Sequence, residues 1–273
     1  MPHDLLAHLF TEEKIDTYAV IPFSACKVTR KYLLERCDLV PQSAVLFLVP
    51  YYAGETENLS RYASACDYHL YMRELFARLT PVLAEKTGYR YTGFADHSPI
   101  DERHAAALAG LGMLGDNGLL INEKYGSFVF IGELLTDAPP PLLGATSPIT
   151  PRHCPSCGAC RNACPSGCLR GESTLCLSAV TQKKGCLDEK EVDLLLQGGS
   201  AWGCDICQEI CPYNQRIVNE NHYTPITYFK ENRITCLRRE SLDAMDDETF
   251  AARAFSFRGR APLERNLELL DKK

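Results

Sequence analysis

Eight cysteines in this sequence are spaced as if to hold metal. Cys154, Cys157, Cys160 and Cys164 run C-x2-C-x2-C-x3-C and are followed at once by Pro165. Cys204, Cys207 and Cys211 repeat the end of that run before Pro212, with Cys176 between the groups. Three thiolates at this step wrap one face of an iron–sulfur cubane, while the fourth, turned aside by its proline, ligates a neighbouring cluster. By that logic one [4Fe–4S] cluster takes Cys154, Cys157, Cys160 and Cys211. The other takes Cys164, Cys204 and Cys207, with Cys176 as the displaced fourth ligand and Cys168 and Cys186 as nearby alternatives. A pair of zinc sites would use C-x2-C pairs, but zinc asks for neither the third cysteine at the same step nor the trailing C-P. Cys26, Cys37, Cys66 and Cys236 have no partner at ligand spacing and read as small buried hydrophobes.

Clusters carry single electrons and do no substrate chemistry themselves. A carrier needs only about sixty residues around its clusters, and this chain spends more than twice that on the region before them, which suggests a second redox centre or a substrate site. The elements that would frame it alternate. Asp4 can cap a short amphipathic helix bearing Leu5, Leu6, Leu9 and Phe10. Thr17 to Ile21 and Ala44 to Val49 read as strands ended by Pro22 and Pro50. A helix is expected from about Leu59 to Lys86, with Pro81 as a kink. A strand near Tyr89 to Ala95, a helix from about Asp101 to Ala109, the glycine turn GLGMLGDNG and strands at Gly118 to Asn122 and Ser127 to Leu134 follow. The glycines Gly110, Gly112, Gly115 and Gly118 do not make a dinucleotide fingerprint, because they follow a helix and open a strand.

The expected division is a mixed α/β domain over 1–137, a proline-rich link over 138–151 with five prolines and no charge, a cluster domain over 152–215 and a helical tail over 216–273. Chain length and charge set limits on these readings. With 273 residues the chain buries a core without disulfides, so 14 cysteines in a reducing compartment point to metal. The amino terminus has no basic, apolar leader pattern and no stretch approaches a membrane span, so a cytoplasmic protein is expected. The net charge of −6 argues against a dominant basic face.

The segment from Ala95 to Asp137, with RYASACDYH (Arg61 to His69), CPSCGACRNACP, CLSAVT and WGCDICQEICPYN, strongly resembles the epoxyqueuosine reductase family. The resemblance runs in order from about Val40 to Gln215. It implies an α+β architecture: a nitroreductase-like cobalamin-binding α/β domain joined to a bacterial-type two-[4Fe–4S] ferredoxin domain. It also implies two-electron deoxygenation of epoxyqueuosine to queuosine in tRNA, with a low-potential donor of the ferredoxin or flavodoxin type. It favours Cys176 as the fourth ligand of the second cluster. Asp96, in the motif Asp96-His97-Ser98-Pro99, matches the proposed proton donor, a role that burial would aid by raising its pKa. Arg103, in the Glu102-Arg103 pair, would orient that acid or contact the ligand. Gly112, Gly115 and Asn117 match a loop against the corrin, and Asp205 would contact cluster or corrin or cap the helix after it.

Two departures qualify the substrate. The glycine turn carries Met113 and Asp116 where the family usually has tryptophan and lysine. The family's carboxy-terminal helical repeats have no counterpart in this sequence, which reads as a short form. With a net charge of −6, tRNA binding would rest on local basic groups such as Lys183, Lys184, Arg253, Arg258, Arg260 and Arg265. Other functions consistent with the motifs are a cobalamin-dependent reductase of a small molecule, akin to the reductive dehalogenases, or an electron-transfer protein that reduces a corrinoid elsewhere.

Overall fold

The structure is a computed structural model and describes residues 1–37 and 39–272. The chain divides into two units: Met1–Pro50 with His69–Ser156, and Tyr51–Tyr68 with the chain from Cys157 onward.

The first unit is built on a four-stranded antiparallel sheet of order β1-β2-β6-β3, formed by β1 (Tyr18–Pro22), β2 (Ser43–Pro50), β6 (Val129–Thr136) and β3 (Tyr91–Phe94). Every residue of the apolar run in β2 is buried, so this central strand is covered on both faces. Ala44, Leu46 and Leu48 join Ile100, the Ala105–Ala107 run of α4 (Glu102–Leu108), Leu120 and Ile131 in one core. On the alternate positions Phe47 meets Phe10 of α1 (Pro2–Glu12) at 5.1 Å and Phe76 of α3 (Tyr68–Thr87) at 6.2 Å between ring centroids. The layers pack tightly enough to dictate residue size. Gly132 lies opposite Phe47 in the ladder, and a Cβ there would sit 2.3 Å from that ring. A short helix α2 (Lys31–Arg36) and a two-stranded hairpin of β4 (Met113–Leu114) and β5 (Leu120–Ile121) complete the unit.

The long helix begins at Tyr68, later than the apolar spacing suggested. Leu59 to Asp67 instead join the second unit, where backbone N–H groups of Ser60 and Ala201 bond Trp202 and Asn58 carbonyls at 2.7 Å. The proline-rich stretch is pinned to the first unit: Ala138 and Leu143 are fully buried, and the N–H groups of Thr146 and Ile149 bond the carbonyls of Val20 and Leu108. Its prolines remove donors locally, while the remaining donors find partners on β1 and α4.

The second unit is helical: α5 (Ala159–Ala163), α6 (Leu177–Thr181), α7 (Glu189–Gly198), α8 (Ile206–Glu209), α9 (Pro212–Asn219), α10 (Arg239–Asp243), α11 (Asp247–Ala251) and α12 (Ala261–Asp271). Trp202 is fully buried at its centre with Leu59, Leu237, Leu242, Phe255, Leu263 and Leu267, and its indole N–H donates to the Tyr62 hydroxyl at 3.0 Å. Asn266 of α12 donates to the carbonyls of Thr181 and Ala201, so the tail is part of this unit's core. Among the described residues no helix is long and apolar enough to cross a membrane. The α+β fold expected from the sequence is thus the one found.

Candidate cluster and proton-transfer sites

Short helices set the thiols of the second unit. Gly158, with φ +79°, turns the chain into α5 between Cys157 and Cys164, and Pro212 at the first position of α9 makes Cys211 its cap. Cys176 caps α6 in extended conformation, leaving its side chain outside the helix. The thiols lie within electrostatic reach of one another. Burial pushes Cys204 up to about 11, and nearby Asp205, Cys176 and Cys164 add to it. Burial pushes Cys207 up to about 12, aided by Cys204, Asp205, Cys176 and Cys160. Thiols crowded in this way must lose their protons to bind iron, so ligation and deprotonation are one event. Among the described residues no three Cys, His, Asp or Glu side chains converge on a point as ligands of a single ion would. A cubane asks for something else, one thiolate on each of four irons around a larger body.

Cys164 differs from the others. Burial raises it, but N–H groups of Leu169 and Ser166, the Ser166 hydroxyl and Cys168 outweigh that and bring it down to about 7. Its sulfur lies 3.5 Å from that of Cys168, one of the alternatives that spacing offered for the second cluster's fourth ligand. Cys186 is exposed, and Arg265 is the charged group it influences. In the first unit, the Cys154 sulfur accepts a hydrogen bond from the Asp116 N–H at 3.4 Å. Strand-like bonds between Leu114 and the Arg152–Cys154 stretch hold the glycine turn against that cysteine.

The turn has internal reasons for its composition. A Cβ at Gly112 would come 2.7 Å from the Ile121 carbonyl oxygen, and one at Gly115 2.5 Å from Asn117 Oδ1. Asn117 Oδ1 accepts the Leu119 N–H at 3.2 Å. Gly112, Gly115 and Asn117 therefore shape the β4–β5 hairpin. Asp205 does not cap α8, since its side chain makes no bond to that helix's N–H groups. It is buried in the second unit, accepting from the Ser60 hydroxyl, the Arg61 N–H at 2.7 Å and the Arg61 guanidinium at 3.3 Å. Arg61, nearly fully buried, also pairs with Glu55 and with Glu209 at 2.6 Å. Each of the four residues expected from the resemblance to touch a corrin also has contacts of its own within its unit.

Asp96 lies at the turn after β3 with φ +61°, a left-handed conformation that Asp tolerates better than most residues. The turn is secured from several sides. Glu102 accepts the Asp96 N–H at 3.0 Å, Arg30 donates to the Ser98 carbonyl at 3.0 Å, and the Tyr32 hydroxyl meets His97 Nε2 at 3.0 Å. Ser98 is fully buried and its hydroxyl donates to Glu133, itself fully buried in β6. Burial pushes Glu133 up to about 8; burial and then the Asp96 carboxylate push Glu102 up to about 7.

Asp96 behaves otherwise than expected. Its carboxyl is 67% exposed and lies 3.7 Å from His69 Nε2. That histidine holds it below the ordinary carboxylate range, outweighing the opposite effect of burial. The rise that burial alone would give is therefore reversed by the neighbouring imidazole. Arg103 does not reach Asp96 by a hydrogen bond; its guanidinium donates to the Gly118 carbonyl and ties α4 to the hairpin. Of the Glu-Arg pair, Glu102 is the residue that holds the acid's loop. His69, Arg73, His97 and the apolar Met72, Phe76 and Phe94 line a cavity of about 380 Å³ in the same unit. His69 and Glu102 both lie in the quoted motif stretches, and only their contacts single them out.

Known proteins bear on both sites. A family model described as a 4Fe-4S double cluster binding domain matches residues 153–214. The epoxyqueuosine reductase of Listeria monocytogenes is 36% identical over 211 residues, covering 73% of this chain and 53% of that protein.

The chain is a relative of the epoxyqueuosine reductases.

It spans about half the length of the curated relatives it matches. The solved structure of epoxyqueuosine reductase from Streptococcus thermophilus superposes with a TM-score of 0.72 at 22% identity, over 99% of this chain and 81% of that one. A crystal structure of epoxyqueuosine reductase with a modified tRNA-Tyr stem loop gives 0.76 at 22% identity, over 99% and 81%. At that identity the likeness is one of fold.

Proposed function

We propose that the chain is an iron–sulfur oxidoreductase of the epoxyqueuosine reductase kind, working in a reducing cytoplasm with two [4Fe–4S] clusters and cobalamin. Its substrate is tRNA carrying epoxyqueuosine and its electron source a low-potential ferredoxin or flavodoxin. The observation that carries this reading is the likeness to epoxyqueuosine reductases over 73% of the chain. The thiol arrangement of the second unit and the Asp96–His69 pair agree with it. Cys154, Cys157, Cys160 and Cys211 would hold one cluster, and Cys164, Cys176, Cys204 and Cys207 the other.

The overall reaction removes the epoxide oxygen as water. Two C–O bonds break, a C=C bond forms, and two electrons and two protons are taken up. The clusters, when bound, would supply electrons singly, and cobalamin would supply a low-potential metal centre. The chain's own part is the proton. We assign the transferable proton to the Asp96–His69 pair, whose Oδ2 and Nε2 lie 3.7 Å apart. As negative charge develops on the epoxide oxygen, the pair hands that proton over, with Asp96 orienting the imidazole or relaying the proton itself. Glu102, through the Asp96 N–H, keeps the carboxylate at that position.

The test is direct. Reconstituted protein should carry about eight irons per chain with the broad visible absorption of cubanes, and should bind cobalamin. With epoxyqueuosine-containing tRNA and a low-potential reductant it should form queuosine, and Asp96→Ala should abolish this without loss of iron. Bound cobalamin with no conversion of the tRNA would refute the substrate, and zinc in place of iron would refute the redox reading altogether.

A further inference from the structure

A cavity of about 660 Å³ opens in the second unit, with Cys176 on its wall and Lys183, Lys184, Glu191 and Arg258 around it. Lys183 pairs with both carboxylate oxygens of Glu191 at 2.7 Å, which neutralises that lysine. Lys184 and Arg258 remain as two exposed cations, so the lining carries a net positive charge of two within a chain whose formal charge is −6. Their positions are built by the fold. Arg265 of α12 donates to the carbonyls of Lys183 at 2.7 Å and Gly185 at 2.5 Å, clamping the loop that carries Lys184. Asn266 fixes the start of the same loop through the Thr181 carbonyl at 2.8 Å. The Arg258 guanidinium stacks 4.9 Å from the Phe257 ring, and Phe257 is itself 58% exposed. Cys176 is the exposed member of the thiol group that also contains Cys164, Cys204 and Cys207.

We propose that this cationic cavity beside Cys176 is the docking site of an acidic, low-potential one-electron carrier protein. The inference rests on the assignment of Cys176 to the second cluster. An electron must enter where a cluster approaches solvent, and here an exposed proposed ligand lies in the wall of the cavity that two cations flank, neither of them paired with a carboxylate among the described residues. Opposite charge across such a contact steers the encounter and raises its rate, while the exposed aromatic edge of Phe257 offers apolar contact. Each encounter oxidises the carrier by one electron and reduces the cluster by one, with no atom transferred. Two cations at a pocket mouth do not make the extended track that a nucleic-acid backbone requires.

The experiment follows bleaching of the cluster absorbance in a stopped-flow instrument when reconstituted protein meets a fully reduced flavodoxin of net negative charge. Neither cobalamin nor tRNA is present, so failure of the epoxyqueuosine reading leaves this outcome readable. For the double variant Lys184→Glu with Arg258→Glu, the second-order rate at low salt should fall about tenfold or more and its salt dependence should flatten or invert. The extent of reduction by excess dithionite and the iron content should match the wild type. Lys31→Glu with Lys86→Glu, which changes the net charge equally in the first unit, should keep the wild-type rate. An unchanged rate and salt dependence in the Lys184/Arg258 variant would overturn the proposal. So would a wild type that the flavodoxin does not reduce.

Discussion

Glu133 offers a sharp test of how the first unit is held together. It sits in the middle of the central sheet, fully buried, with Oε1 accepting from Ser98 and Oε2 without a partner. Burial, and then the nearby Glu102, push its carboxyl from an ordinary 4.5 up to about 8. Below pH 4.5 the group is protonated in both folded and unfolded chains and contributes nothing to the pH dependence. Between 4.5 and about 8 the unfolded chain releases the proton while the folded one keeps it, so stability falls as pH rises. At about 1.4 kcal/mol per pH unit, the whole window comes to about 3–5 kcal/mol. Glu133→Gln keeps the shape and removes the titration, while leaving an amide N–H without a partner at a cost of about 1 kcal/mol. The variant should therefore be slightly less stable than the wild type at pH 5 and more stable by several kcal/mol at pH 8.5. Amide hydrogen exchange of Leu46, Leu48 and Ile131, corrected for the intrinsic pH dependence, reads this unit without requiring the clusters to survive unfolding. Parallel pH profiles for the two proteins from pH 5 to 8.5 would refute the reasoning, because they would mean that Glu133 is ionised in the folded state.

Three further perturbations follow from the same geometry. Arg61→Ala would leave the buried carboxylate of Asp205 without its cation and should destabilise the second unit by about 3–5 kcal/mol; fluorescence of Trp202, the chain's single tryptophan, reports it during denaturation. Gly132→Ala would drive a methyl group into the Phe47 ring and should cost about 1–3 kcal/mol in chemical denaturation, with Phe47→Leu as a partial rescue. Asp116→Asn removes a formal negative charge next to Cys154 while keeping the N–H that bonds its sulfur. The reduction potential of the cluster proposed on Cys154 should then rise by on the order of 50 mV in a redox titration, since the reduced cluster carries the more negative charge.

The cluster region was legible because its chemistry is written locally. Iron–sulfur ligation needs thiols at set steps along the chain, and a proline after the last one, so Cys154 to Cys164 and Cys204 to Cys211 can be read from the letters alone. The sheet was legible for a similar reason, since a strand such as β2, apolar throughout, announces that both its faces are covered. The start of α3 was not. Leu59 and Ala63 have helical spacing, but they are buried against Trp202 from a distant part of the chain, and that packing overrides local preference. The proline-rich stretch read only as a link, because nothing in its composition tells that Val20 and Leu108 offer acceptors for its remaining N–H groups.

The site divides along the same line. By itself the sequence determined the spacing of the thiols, the place of Asp96 in its motif and which family of proteins the chain resembles, because spacing and short motifs survive without a fold. Only the tertiary structure decided the charge states and the partners. It brought His69 to Asp96 and so lowered an acid expected to be raised. It gave Glu102 rather than Arg103 the task of holding that acid's loop, committed Asp205 to Arg61, and enclosed Glu133 where water cannot reach it. These outcomes depend on which side chains the fold brings together, and on burial, which changes a carboxyl's pKa without changing a single neighbouring letter.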